Sequence, residues 1–230
     1  MSLILDMREV VVDARPPYDG GLNRVSLSLS PGELFLVRVP DGAPITPLAD
    51  AACGMLVPEA GAVLFDGREW ASCSADEAAA ARGRIGRVFE RAGWLSNLDV
   101  DENITLAQRY HLRRTPEETL EEARALAREL GMSGIPAGRP AFVERELLLR
   151  AQWIRALMGK PALVLLERPG RDMSANEVAP LVSAVNKRRE HDGTAVLWLT
   201  DAHERVADSA LRATQKCAME EGVLRPLDTP

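Results

Sequence analysis

The residues that come nearest to a chemical motif are Arg38-Val39-Pro40-Asp41-Gly42-Ala43-Pro44-Ile45-Thr46-Pro47-Leu48. They follow the apolar run Leu34-Phe35-Leu36-Val37 and lead into a helical pattern from Leu48 to Leu56. Strand, loop and helix in that order are the setting of a phosphate-cradling loop, whose pattern is G-x-x-x-x-G-K-[ST]. Here Val39 and Pro44 stand at the two glycines, Ile45 stands at the lysine, and Thr46 alone keeps its type. Pro44 and Pro47 also remove two backbone N–H groups from a segment whose amides would have to hold the phosphates. The groups left to face a nucleotide are those of Asp41, Gly42 and Thr46. Thr46 before Pro47 is at the same time a good helix start, a capping hydroxyl followed by a proline in the first turn. The residues therefore predict the helix and not the phosphate site.

The elements around this loop read as an α/β protein. Val10-Val12 and Val25-Ser30 are strands of an antiparallel piece, and Pro31-Gly32 is a turn. Ala62-Phe65 is a strand closed by Asp66-Gly67, and Ile85-Phe89 is another. Val100 to Leu130 turns helical, and Gly131 and Gly134-Ile135-Pro136 end it. Glu144-Met158, Asn176-Arg189 and Ala202-Ala210 read as helices, and Ala162-Leu166 and Ala195-Leu199 as continuous apolar strands. Buried strands alternating with helices imply a parallel sheet. Residues 91–158 form a helical insert within a single domain of 1–230, and the tail Arg225-Pro230 is expected to fray.

Composition excludes several classes. The 230 residues are 46% hydrophobic and 27% charged, with no apolar run near the roughly 18 residues of a membrane span. The net charge of −6 argues against broad nucleic-acid binding. The N-terminus has no basic region before its apolar part, so no signal peptide is expected. Cys53, Cys73 and Cys217 are odd in number and far apart, as reduced cytosolic thiols are. His111, His191 and His203 have no metal-ligand spacing and read as surface histidines, so no metal site is expected.

The order of these segments resembles the ATP-binding cassette (ABC) transporter ATPases over nearly the whole chain. Val143-Glu144-Arg145-Glu146-Leu147, Arg150, Arg155-Ala156-Leu157, Lys160-Pro161, the apolar Leu163-Leu166 and Glu167-Arg168-Pro169 follow the family's run from its L-S-G-G-Q signature to D-E-P without a gap. Leu22-Leu27, Pro31-Gly32-Glu33, Cys53-Pro58 with Gly61, Phe65-Asp66-Gly67, Ile85-Glu90 and Leu98-Ile104 look like its other landmarks. The wording Phe89-Glu90-Arg91-Ala92-Gly93-Trp94-Leu95 is closest to cassettes of bacterial lipid transport that work with MCE proteins.

The resemblance implies a P-loop NTPase-like fold with an antiparallel β subdomain and an inserted helical subdomain. It also implies where ATP chemistry would sit, and there the sequence departs from the pattern. Glu144, Arg145 and Glu146 replace the signature Ser-Gly-Gly, which in the family meets the γ-phosphate held by the opposite subunit. Two carboxylates there repel a phosphate and suit the dipole of their own helix. Glu167 stands for the Walker B Asp, and Arg168, which is no base at neutral pH, stands for the catalytic Glu. Asp201 stands for the switch His, with His203 as the alternative if two residues are inserted, and Glu90 stands for the Q-loop Gln. Gly170-Ser174 would be the D-loop. Tyr18 is the candidate to stack on a base, or else an ordinary turn residue after Pro16-Pro17. Trp94 and Leu95 fall where cassettes receive the coupling helix of a permease, with core packing as the other reading of Trp94.

Phosphoryl transfer depends on positioning and charge neutralisation, and these replacements together leave no route to it. The expectation is a degenerate, hydrolysis-incompetent ATP-binding subunit. It would be a structural or regulatory partner of a permease and a second cassette, peripheral on the inner face of the cytoplasmic membrane. No catalytic residue and no cofactor are expected; weak ATP/Mg binding through Tyr18, Asp41, Gly42, Thr46, Glu90 and Glu167 stays open. The alternatives are a divergent but active ABC ATPase using Glu167, and a soluble regulator without a permease.

Overall fold

The computed structural model describes residues 2–18, 20–40, 47–90, 93–111 and 114–227. The first strands are β1 (Leu5–Val12), β2 (Leu22–Leu29) and β3 (Leu34–Arg38), followed by the short helix α1 (Leu48–Ala52). Then come β4 (Ala60–Phe65), β5 (Arg68–Glu69), α2 (Ala75–Arg82) and β6 (Ile85–Val88). Three helices, α3 (Val100–His111), α4 (Pro116–Glu129) and α5 (Arg145–Leu157), precede β7 (Leu163–Glu167). The chain ends with α6 (Ala175–Asp192), β8 (Ala195–Thr200), α7 (His203–Ala207), β9 (Gln215–Glu220) and β10 (Val223–Pro226).

Two sheets form. One is antiparallel, in the order β2-β1-β4-β5, and the other runs β10-β9-β3-β8-β7-β6 with its central strands parallel. The central strands β3, β7 and β8 are apolar up to their last residue because both faces of the sheet are covered. Phe35, Val37, Leu163, Leu165, Leu197 and Leu199 face one core with β1, β2, β4 and α1. Leu34, Leu36, Val164, Leu166, Val196 and Trp198 face a second core with α3 to α6. Gly86 on β6 lets α5 lie directly on the sheet edge, since a Cβ there would sit 1.8 Å from the Ala156 carbonyl oxygen.

Several expectations are corrected. The helix after the loop ends at Ala52 rather than Leu56. Gly54 turns left-handed at φ 66, and Met55 N–H and Gly54 N–H close the helix end on the Asp50 and Ala51 carbonyls. The Trp70 indole packs over Gly54 and leaves no room for a further turn. Pro47, expected in the first turn, occupies the capping position with no side-chain cap. The expected cap Thr46 and the loop residues Asp41, Gly42, Pro44 and Ile45 lie outside the described residues. The helical stretch 100–130 is two helices, the second opened by a Thr115–Glu118 capping box. Arg225 and Pro226, expected to fray, are paired with β9.

Candidate functional site

The parallel strands β6, β7, β8 and β3 all end at one edge, and in open α/β sheets that edge is where ligands bind. The residues that leave it are charged, and they hold one another. Glu167, the last residue of β7, points to the α1 face of the sheet and is buried. Its carboxylate accepts from Arg87 Nε of β6 at 2.7 Å. Arg87 Nη1 reaches Asp50 of α1 at 2.5 Å, and the Tyr18 hydroxyl donates to the other oxygen of Asp50. Burial pushes the Glu167 carboxyl above its ordinary range, against the pull of Arg87. Burial also works against the Arg87 guanidinium, but the hydrogen bond and charge of Glu167 reverse this and keep it charged. The Tyr18 phenol is pushed up to about 12 by burial and by its bond to Asp50.

One residue further on, the chain turns. Arg168 takes a left-handed φ of 45 while its N–H donates to the Leu199 carbonyl. This puts a second guanidinium, 3% exposed, among the strand ends. It pairs with Glu90 after β6, and its Nε lies 2.9 Å from Asp201 Oδ2 after β8. Arg171 also reaches Glu90, at 3.3 Å. The structure thus brings Glu90, Arg168 and Asp201, each named from its place in the pattern, into one ion-paired cluster, and pairs Glu167 with Arg87 beside it. His203, the alternative to Asp201, is exposed at the start of α7.

Sequence reasoning missed Arg87 and Asp50. A signal was present: each is a charge inside an otherwise apolar segment, Ile85-Gly-Arg-Val-Phe89 and Leu48-Ala-Asp-Ala-Ala52, and such charges are tolerated in interiors only when paired.

Among the described residues, the remaining candidates make no ion pair with this cluster. Glu144 caps α5 without a side-chain bond. Arg145 meets Asp172 at 3.3 Å, and Glu146 meets Arg150 at 2.9 Å across one helical turn. Glu90, Arg145, Glu146, Arg168, Arg171 and Asp172 border one cleft of 320 Å³ between the start of α5 and the turn after β7, floored by Phe89, Leu148, Leu149 and Met173. Ser174, where the family's D-loop would end, caps α6 together with Glu177. Trp94 and Leu95 divide. Leu95 is exposed, whereas the Trp94 ring packs on the second core and lies 4.7 Å from the Arg155 guanidinium. Arg155 lies 5.3 Å from the Phe89 ring, and Arg87 lies 4.5 Å from the same ring. A run of cation–π contacts thus extends from Arg87 to Trp94. Burial lowers the Arg155 guanidinium to about 10.

A family model described as ABC transporter covers residues 22–169. The chain belongs to the ABC transporter family. The sulfate/thiosulfate import ATP-binding protein CysA of Caulobacter vibrioides is 28% identical to this ABC-family chain over 213 residues, covering 91% of the chain and 60% of that protein. The chain thus spans about three fifths of that relative's length. The intermembrane phospholipid transport system ATP-binding protein MlaF of Haemophilus influenzae is 25% identical over 202 residues, 83% of the chain and 76% of that protein. A dimeric ATP-binding cassette in a post-hydrolysis state bound to ADP and Pi has the same fold, with a TM-score of 0.82 over 96% of each chain at 19% identity. The ABC cassette expected from the sequence, with its two kinds of sheet, is the fold observed.

The family brings a magnesium nucleotide to this edge, and the described residues do not fit it. The carboxylate at the metal position, Glu167, is engaged by Arg87, and the next residue supplies a second buried guanidinium. To gain Glu167 as a ligand, a divalent cation would have to displace the Arg87 guanidinium that holds it.

Proposed function

We propose that this chain is the ATP-binding-type subunit of a membrane transporter, with a nucleotide site silent in hydrolysis. It serves as a structural or regulatory partner of a permease on the cytoplasmic face, paired with a second cassette of its own or another kind. The observation that carries this reading is the ion pairing of Arg168 with Glu90 and Asp201, beside Arg87 with Glu167. Three positions where the resemblance expects hydrolytic groups are filled by charges that satisfy one another. Family membership supports the transporter role. Among the described residues no helix is long and apolar enough to cross a membrane. The phospholipid-transport relative and the Phe89-to-Leu95 wording favour a lipid as cargo over the sulfate named for the other relative.

The purified chain is expected to show no Mg-ATP turnover and no binding below millimolar concentration by calorimetry. Micromolar binding with turnover abolished by Glu167→Gln would replace this reading with a divergent, active ATPase. For the permease, exposed Leu95 is a cleaner probe than Trp94, whose ring is part of the packing. Leu95→Glu is expected to lose the co-purifying membrane subunit while the fold is kept. Retention of that subunit would move the docking face elsewhere, and its absence from the wild-type preparation would favour a soluble regulator.

A further inference from the structure

The Glu90–Arg168–Asp201 cluster joins three chain segments at the points where they leave the sheet. Glu90 lies two residues beyond β6, where the chain departs for α3. Arg168 lies one residue beyond β7, and Asp201 one beyond β8. A single guanidinium ties all three. The same segment beyond β6 is gripped from the other side by α5. Phe89 N–H donates to Gln152 Oε1 at 3.0 Å, and Arg155 Nη1 donates to the Gly93 carbonyl at 2.7 Å. Trp153 Nε1 donates to the Pro169 carbonyl at 2.9 Å, next to Arg168 itself.

Stability alone does not account for such a cluster. Buried ion pairs can often be exchanged for apolar groups of similar volume with no loss, because desolvation offsets the attraction. Arg168 is also held at positive φ, a conformation that costs energy in any residue but glycine and persists where the surroundings impose it. What a forked guanidinium between two carboxylates provides is one fixed geometry.

We infer that this cluster is a built-in clasp. It fixes the segment leading from β6 into α3 to the ends of β7 and β8, so that α3 to α5 hold one arrangement on the sheet with no nucleotide bound. The inference rests on the reading of the edge as closed by its own side chains, and it gives that edge its role. The partner then meets a constitutively set surface, and regulation passes through whatever opens the clasp.

The test is amide exchange of the full-length chain without nucleotide, read at 85–90 and 93–98 and, as an internal reference, in β1 and β2. Arg168→Met is expected to speed exchange in the first two stretches at least about tenfold beyond any change in the reference. Because Arg168→Met strips Asp201 of its cation, leaves Glu90 with Arg171 and can destabilise the whole fold, a second variant separates the effects. The triple variant Glu90→Gln, Arg168→Met, Asp201→Asn removes both carboxylate charges. It is expected to regain wild-type stability in denaturant while exchange at 85–90 and 93–98 stays fast. Wild-type exchange there in the triple variant would overturn the clasp. Mg-ATP binding by the wild type would overturn the silent-site reading instead, and the nucleotide-free comparison of variants would still decide the clasp.

Discussion

The arginines at the strand ends and the arginine at the start of α5 carry the same charge in very different surroundings. Arg168 is 3% exposed and its partner Glu90 11%, whereas Arg145 is 85% exposed and its partner Asp172 71%. Both sets stand where the family resemblance expects groups that handle phosphate. At the strand ends the charges have lost water and must have each other, and there they shape the fold. At the start of α5 they remain solvated, and the pair there adds little. A replacement of charge in a sequence therefore says little until burial is known.

The widest gap between the two sets should appear on removing the buried guanidinium. Arg168→Met leaves Glu90 and Asp201 facing each other without their shared cation and is expected to cost about 3–5 kcal/mol in urea denaturation. Arg87→Met is expected to follow at about 3 kcal/mol, for the same reason, with Glu167 and Asp50 as the orphans. That cost carries a pH signature. Burial holds the Glu167 carboxyl above its unfolded value, so the folded state takes up the proton first. Stability of Arg87→Met should therefore recover as pH falls from neutral into the carboxyl range, and a flat profile would show that Glu167 is not the orphaned group.

How much of this was readable beforehand follows from the range of the interactions. The apolar runs 34–37, 163–166 and 195–199 announce strands buried on both faces, because each residue needs only a core on its own side. Helix α2 was missed because its Ala-rich sequence has no apolar stripe, although the Ser74–Glu77 capping box stood in plain view. Strands β9 and β10 were missed because charge interrupts them; β10 is the edge of its sheet and β9 the strand beside it. At the site, Glu90, Glu167, Arg168 and Asp201 could each be named from position in the pattern. Their pairing could not, since Arg168 and Glu90 are 78 residues apart in the chain. Asp50 belonged to no motif, Arg87 sat inside the Ile85–Glu90 landmark with no role there, and both were visible only as charges out of place.

Smaller effects refine the contrast. The coupling between Arg168→Met and Glu90→Gln in a double-mutant cycle should fall near 2 kcal/mol, within the roughly 0.5–3 kcal/mol found for groups in one network. Tyr18→Phe should cost about 1 kcal/mol, the worth of one hydrogen bond to a carboxylate at a half-buried site. The Tyr18 phenol is raised from 10.0 to about 12 in the folded chain. Its contribution should be complete below pH 10.0 and be lost as pH rises towards about 12, and Tyr18→Phe should remove that part of the alkaline fall. Arg145→Ala, at the solvated end of the comparison, should change stability by less than about 0.5 kcal/mol. A larger loss there would mean that the α5 start is covered by a partner in the sample measured.

The contacts that run from Arg87 through Phe89 and Arg155 to Trp94 have a mechanical consequence. Arg87 faces the innermost carboxylates, and Trp94 adjoins Leu95 at the surface. Between them stand planar groups in direct contact, and close-packed matter of this kind passes on displacement rather than absorbing it. On the proposed reading, a partner docked at Leu95 would rest against a packed strut whose far end lies beside Glu167.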